Sequence, residues 1–174
     1  MYRKVLVPTD LSSYAHKVQD CLAVIPGIEE IVLLHILDAS NPKDLEAKGW
    51  SWDSLIDEAR TRLEEQADHL SNQAGKKLEI KPILKVIIEP MSGADGVNLQ
   101  RPKTGSGIDL VDGGSVGQAI SKAAAEEKVS LICMGAQGKG LMESMLLGSV
   151  STEVLRQGDE DLLIIRHKIL PGGK

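Results

Sequence analysis

The sequence predicts an α/β domain: a five-stranded parallel sheet with helices on both faces, of Rossmann-like type. Three observations carry that expectation. Short, wholly apolar runs recur, as in VLV at 5–7 and IVLLHIL at 31–37, which suits strands covered on both faces. Amphipathic helical patterns stand between those runs. The two kinds of segment alternate along the chain, and alternation gives a parallel sheet joined by right-handed crossovers.

The first strand is VLV at 5–7. Ser12 or Ser13 then caps a helix whose apolar face is Ala15, Val18, Leu22 and Ile25, and Pro26-Gly27 stops it. The second strand is 31–37. Asn41-Pro42 opens a connection to a long helix with Ile56, Ala59, Leu63, Ala67 and Leu70 on one face, ended by Gly75. A third strand spans 78–88, and Pro82 within it suggests an edge position. The segment 89–112 is long for a strand-to-helix loop and rich in Gly and Pro. It contains alternating pieces, Val97-Leu99 and Ile108-Leu110, and reads as an inserted loop or hairpin inside one domain covering residues 1–174. Gly113-Gly114-Ser115 precedes the next helix, with Ser115 and Gln118 in capping-box register. The fourth strand is 129–134. A last helix follows Gly148, and a fifth strand covers 162–165.

Composition narrows the function classes. The 174 residues suit a single core, and hydrophobic residues reach 42%, which excludes a disordered chain. Aromatics are only 2%, with no Phe, so base-stacking platforms for single-stranded nucleic acid are not expected. The net charge of −5 and the scattered basic residues argue against nucleic acid and anionic membranes as partners. No apolar run approaches a membrane span, and no signal peptide is evident at the N-terminus. Cys21 and Cys133 both sit in apolar patterns without metal-ligand spacing. They read as two buried thiols in a cytoplasmic protein.

Two polar motifs lie at strand ends, where ligands bind in open parallel sheets. PTD at 8–10 follows the first strand, and GAQG at 135–138 follows the fourth. If those strands are neighbours, the motifs face each other across one cleft. Gly135 and Gly138 let the backbone turn tightly and approach a ligand. Nine residues then separate Gly138 from Gly148, and Ser149 follows at once. A helix start there offers unpaired N–H groups, a dipole end and a hydroxyl to an anion. An ordinary loop and helix cap explains the same residues taken alone.

The constellation as a whole resembles the universal stress protein family. It rests on VPTD at 7–10, LLHIL at 33–37, the Gly135-x2-Gly138-x9-Gly148-Ser149 spacing and the tail GSVSTEVLR with LLIIRH. It covers most of the chain apart from 89–112. In that family the glycine-serine pattern marks the ATP-binding branch. The resemblance therefore implies ATP, or AMP or ADP, as a regulatory ligand, with a divalent cation such as Mg2+ offsetting phosphate charge and with hydrolysis slow at most. It implies that Pro8, Thr9 and Asp10 line the adenine and ribose end, and that Ile36 meets the base. Met134 and Gly135 would close over the ribose. Gln137, Gly138, Gly148, Ser149, Val150 and Ser151 would hold the phosphates. Gln137 stands where a basic or imidazole side chain is common in the family, which shifts the phosphate grip toward backbone; Lys139 reads first as a solvated loop lysine and second as one charge for the phosphates. The resemblance further implies a homodimer through the fifth strand, with Leu162 and Arg166 at the ends of the paired segment.

Two other classes compete. Gly113 to Gly117 matches G-x-S-x-G, and Asp161 and His167 follow Ser115 in the order a hydrolase triad uses. The chain is short for that fold, and Ser115 already has a capping role. A nucleotide-free interaction module is the third reading. His16, His35, His69 and His167 share no ligand spacing, and His35 reads as a satisfied core histidine.

Overall fold

The computed structural model describes residues 2–23, 25–39, 51–74, 78–88, 108–136 and 147–166. Its elements run β1 (Lys4–Thr9), α1 (Ser13–Ala23), β2 (Glu30–Ala39), α2 (Trp52–Gln73), β3 (Glu79–Ile88), β4 (Ile108–Asp112), α3 (Val116–Glu127), β5 (Leu131–Gly135), α4 (Ser149–Gln157) and β6 (Asp161–Ile165). All strands pair in parallel, in the order β4-β3-β2-β1-β5-β6.

The helices divide between the two faces of the sheet because strand side chains alternate. Val5 and Val7 of β1 point into a core with Val18 and Leu22 of α1 and with Ile56, Leu63 and Leu70 of α2. Leu6 points the other way, into a core with Val32, Leu34, Ile120, Ala123 and Ala124, and with Val154 of α4. Each Leu or Ile fully withdrawn from water contributes roughly 1.5–3 kcal/mol, so these aliphatic layers replace the missing aromatics.

The parallel sheet and two-sided helices agree with the sequence reading; the strand count does not. Residues 108–112, assigned above to the insertion, form a sixth strand on Leu84 to Ile88 of β3. The alternation of Ile108 and Leu110 with Asp109 fits a hairpin arm as well as a strand of the main sheet, and pairing with β3 decides between them. This also corrects the edge reading of β3. The strand lies between β2 and β4, yet Pro82 falls below the β4 pairing, where among the described residues β3 has a neighbour only on the β2 side. Lys85 fastens the added strand. Only 4% exposed, it reaches Asp109 at 3.1 Å and Glu126 of α3 at 2.7 Å. Burial lowers its pKa, but the hydrogen bonds to Glu126 and Asp109 outweigh burial and hold it above the usual lysine value.

Helix starts follow the sequence closely. Ser12 Oγ accepts from Ala15 N at 3.2 Å at the start of α1. Ser51 caps α2 in a box with Ser54, and Ser115 caps α3 in a box with Gln118. Of the two cysteines, Cys133 is buried as expected, and burial pushes its thiol up to about 12. Cys21 is exposed, contrary to the buried reading: its position on α1 lies off the apolar stripe of Val18 and Leu22. The remainder of the insertion, residues 89–107, lies outside the described residues, as do Asn41, Pro42, Gly75 and His167.

Candidate functional site

β1 and β5 are neighbours, so the two polar strand ends do face each other. Between them opens a cleft of about 780 Å3, within the range of small-molecule sites. It lies at the carboxyl ends of β1, β2 and β5, where the chain's winding reverses between the two sides of the sheet. Ten of the twelve residues singled out from sequence line it: Pro8, Thr9, Asp10, Ile36, Met134, Gly135, Gly148, Ser149, Val150 and Ser151. Gln137 and Gly138 lie outside the described residues, as does Lys139.

The turn after β1 is built by its own side chains. Asp10 Oδ1 accepts from Ser12 N at 3.0 Å and from Ser12 Oγ at 2.5 Å. Thr9 Oγ1 accepts from Leu11 N at 3.1 Å. Leu11 takes φ 58, a left-handed conformation that costs a branched side chain energy and persists only where neighbours hold it. Thr9 O, at the strand end, receives His35 Nδ1 at 2.8 Å, so His35 carries a proton on Nδ1. That is the satisfied histidine expected from sequence, although it also borders the cleft.

The opposite wall is tied at both ends of the segment 137–146. Gly148 N donates to Ala136 O at 2.8 Å, and Ser151 Oγ donates to Gly135 O at 3.1 Å. The Ser151 hydroxyl therefore fastens α4 to β5 and is spent there. The start of α4 differs from the other helices. Its N-cap is Gly148, with φ −74 and ψ 166, and no side chain caps it among the described residues. The Ser149, Val150 and Ser151 N–H groups precede the first intrahelical bond, from Thr152 N to Gly148 O at 2.9 Å. They stand at the positive end of the helix dipole, beside the cleft.

Sequence reading missed the apolar walls. Tyr14, Ala15 and Val18 of α1 form one, and Val116 and Ile120 of α3 form another, with Leu34 between. Their four-residue spacing on each helix was visible, but an apolar face looks the same whether it meets a core or a ligand. Asp38 at the end of β2 was also missed. Among the described lining residues the charged side chains are Asp10 and Asp38, with no Lys or Arg. Among the described residues there is also no cluster of three or more His, Cys, Asp or Glu that could hold a metal ion by itself.

A profile of the universal stress protein family matches residues 1–166. The chain belongs to the universal stress protein family. It is 26% identical over 171 residues to the universal stress protein MJ0577 of Methanocaldococcus jannaschii, covering 97% of each chain. The solved structure of MJ0577 superposes with a TM-score of 0.68 at 23% identity, over 98% of this chain and 99% of that one. The fold is shared with a universal stress protein from Archaeoglobus fulgidus solved in complex with dAMP. That match has TM-score 0.58 and 18% identity, over 94% and 98% of the two chains. It is shared too with a universal stress protein solved in complex with cAMP, at TM-score 0.52 and 19% identity over 95% and 97%. Relatives thus bind adenine nucleotides. No helix among the described residues is long and apolar enough to cross a membrane.

Proposed function

We propose that the cleft binds an adenine nucleotide, ATP in the first place, as a regulatory ligand. The observation that carries this reading is the uncapped start of α4 opening on a cleft with apolar walls. Three N–H groups and a helix dipole suit phosphate, and the aliphatic walls suit a base. The relatives solved with dAMP and cAMP support the choice of adenine. Pro8, Thr9, Asp10 and Ile36 take the base and sugar; Met134 and Gly135 close over the ribose. Gly148, Ser149, Val150 and Ser151 take the phosphates with Gln137 and Gly138, Ser151 acting through its N–H because its hydroxyl is engaged.

Charge decides how a triphosphate is accommodated. Two carboxylates and no fixed cation among the described lining residues oppose several negative charges. A divalent cation offsets them, bound mainly through the phosphates with at most one or two carboxylates, as Mg2+ commonly is. Hydrolysis is slow at most in this reading. We also infer a homodimer through the edge strand β6, residues 162–166.

The hydrolase reading has geometry against it. Ser115 Oγ accepts from Gln118 N at 3.1 Å and donates to Glu153 Oε1 at 2.5 Å, which uses it as a cap. Asp161 Oδ2 receives the Tyr2 hydroxyl. The test of the main reading is mass analysis of nucleotide that copurifies with the protein, followed by calorimetric titration with adenosine, AMP and ATP with and without Mg2+. Absence of binding by all three leaves the nucleotide-free interaction module.

A further inference from the structure

Thr9 sits at the junction of the cleft and a buried polar network that the nucleotide reading does not use. Thr9 Oγ1 accepts from Leu11 N and donates to Gln66 Oε1 at 2.9 Å. Gln66 Oε1 also accepts from Gln19 Nε2 at 3.1 Å. Gln66 is 2% exposed and Gln19 is fully buried, so water cannot substitute for these partners. One helical turn before Gln66, Arg62 Nη2 donates to Leu11 O at 2.9 Å. Both polar groups of the left-handed Leu11 peptide unit are therefore held, directly or through Thr9, by side chains of α2.

Gln66 Nε2 faces His16 Nε2 at 3.0 Å. An amide nitrogen only donates, so His16 Nε2 must be bare in this arrangement and the ring neutral. An imidazolium puts N–H against N–H. Relief requires the Gln66 amide to reverse, presenting Oε1 to His16 and Nε2 to Thr9 and Gln19. Gln19 Oε1 is already buried without a partner among the described residues, so a reversed Gln66 Nε2 finds an acceptor there once the Gln19 amide turns. Thr9 Oγ1 then accepts from Gln66 where it had donated. A second hydrogen-bond arrangement, differing in the His16 proton, is thus open to the network at the residue holding the turn.

We propose that Gln66 and Arg62 are positioning residues for the ligand turn at Asp10, and that the His16 proton sets how Gln66 holds it. The proposal rests on the nucleotide reading for its ligand but not for its geometry. The groups facing His16 allow it. The His69 ring lies edge-on with centroids 5.6 Å apart. Asp20, four residues along α1, faces His69 at 3.8 Å, and Gln73 Nε2 meets His69 Nε2 at 2.9 Å. Glu65 and Asp68 beside them on α2 are exposed. β5, also packed on α1, carries Cys133, whose thiol is uncharged at any pH of interest because burial pushes it up to about 12.

The experiment has two arms. In the first, AMP affinity is measured by calorimetry between about pH 5 and 8, the range in which imidazole changes charge, on the wild type and on His16→Gln. The nucleotide's own titration divides out of the ratio. Wild-type affinity should fall relative to His16→Gln by on the order of tenfold toward the acid end. Arg62→Ala, at a partly exposed residue, should bind AMP on the order of tenfold more weakly at every pH while keeping that pH component. Identical pH profiles for wild type and His16→Gln, or unchanged binding in Arg62→Ala, overturn the proposal. The second arm uses ligand-free protein and NMR. The Leu11 amide resonance should follow the His16 ring titration in the wild type and cease to follow it in Gln66→Leu. A Leu11 resonance indifferent to His16 overturns the relay. A relay that titrates in a protein binding no adenine nucleotide supports the positioning network and overturns the nucleotide reading instead.

Discussion

Replacing Gly148 with Asp separates phosphate binding from fold stability. Gly148 is the buried N-cap of α4, in an extended conformation open to any residue, and no side chain among the described residues caps the helix. An Asp there accepts from the N–H groups of the first turn. Asp is better than Gly at this position by a few tenths of a kcal/mol, and a carboxylate at a helix N-terminus gains a further 0.3–1 kcal/mol or so from the dipole. The sum, roughly 0.5–1 kcal/mol, should raise Tm by about 1–4 °C in a domain of this size. The same carboxylate occupies the donors offered to phosphate and repels it. Two charges about 4 Å apart interact by about 1 kcal/mol in water and about 4 kcal/mol near a protein surface. Gly148 and Ser151 are buried and Ser149 is exposed, so an intermediate penalty of roughly 2 kcal/mol applies, about a thirtyfold loss of ATP affinity. Adenosine, lacking phosphate, should bind within about twofold of wild type. Calorimetry with ATP and adenosine, beside a thermal melt, reads all three quantities. Wild-type ATP affinity in the folded variant would show that the start of α4 does not hold the phosphates. An equal loss for adenosine would show damage to the cleft itself.

Asp10→Ala should weaken AMP and ATP by a similar factor in calorimetry, because both carry the base and sugar; a loss confined to ATP would move Asp10 to the phosphate or metal end. Ser115→Ala removes the α3 cap and its bond to Glu153, so a melt should show about 1 kcal/mol of destabilisation. Nucleotide affinity should not change, and a serine-reactive phosphonate should label neither protein. Iodoacetamide near pH 8 should modify Cys21 and spare Cys133 in native protein, as peptide mass analysis will read, since only Cys21 is exposed and burial keeps the Cys133 thiol protonated. Glu127 is held below its usual value by Lys81, against burial, with Lys4 adding to the effect. A depressed carboxylate stabilises the fold above its unfolded value, about 4.3, and the gain is lost as pH falls through the folded value. Glu127→Gln should therefore melt below wild type at pH 7, and the difference should shrink as pH falls through the depressed folded value.

The fold was legible because its signals are periodic. The apolar runs of β1, β2 and β5 and the helix stripes of α1, α2 and α3 fix side-chain direction, and side-chain direction fixes layers. The strand that escaped, β4, carries only a short alternation, Ile108 and Leu110, which fits a hairpin in the insertion as well as a strand of the main sheet. Its five residues include two aspartates, and they are ordered by β3 and the buried Lys85, which are distant in sequence. The polar half of the candidate site was legible for a different reason: the glycine-serine spacing alone fits an ordinary loop and cap, and it pointed to a site only through the family resemblance. Its apolar half was hidden because Tyr14, Val18, Val116 and Ile120 follow the helical pattern of core residues. Nothing in a single sequence says which side of a stripe stays open. Gln66 was invisible for the converse reason. On a helix read as amphipathic, a glutamine reads as solvent-facing, yet the ends of β1 and α1 bring Thr9, Gln19 and His16 around it.

The two edges of the sheet are built for different ends, and this bears on the proposed association through β6. The β4 edge carries Asp109 and Asp112, both exposed, and a second copy laid against it brings like charges together. The β6 edge runs Asp161, Leu162, Leu163, Ile164, Ile165, with no charge between Asp161 and Arg166 and with Leu163 36% exposed. Leu155 of the adjoining α4 is 58% exposed. An apolar edge with unpaired backbone groups invites a partner strand, and a two-fold axis lets two identical edges satisfy each other at once. The carbonyl at the end of β6, Ile165 O, already receives Ala136 N at 3.0 Å and the Tyr14 hydroxyl at 3.3 Å. The first comes from the end of β5 and the second from the cleft wall, so the proposed interface and the proposed ligand site share one corner. Leu163→Asp, which places a like charge on the edge of each copy, should therefore yield monomers by light scattering with the cleft intact. Deletion of residues 91–106, which lie in sequence next to the opposite edge, should leave the mass unchanged. A monomeric deletion variant would assign the interface to the inserted segment instead.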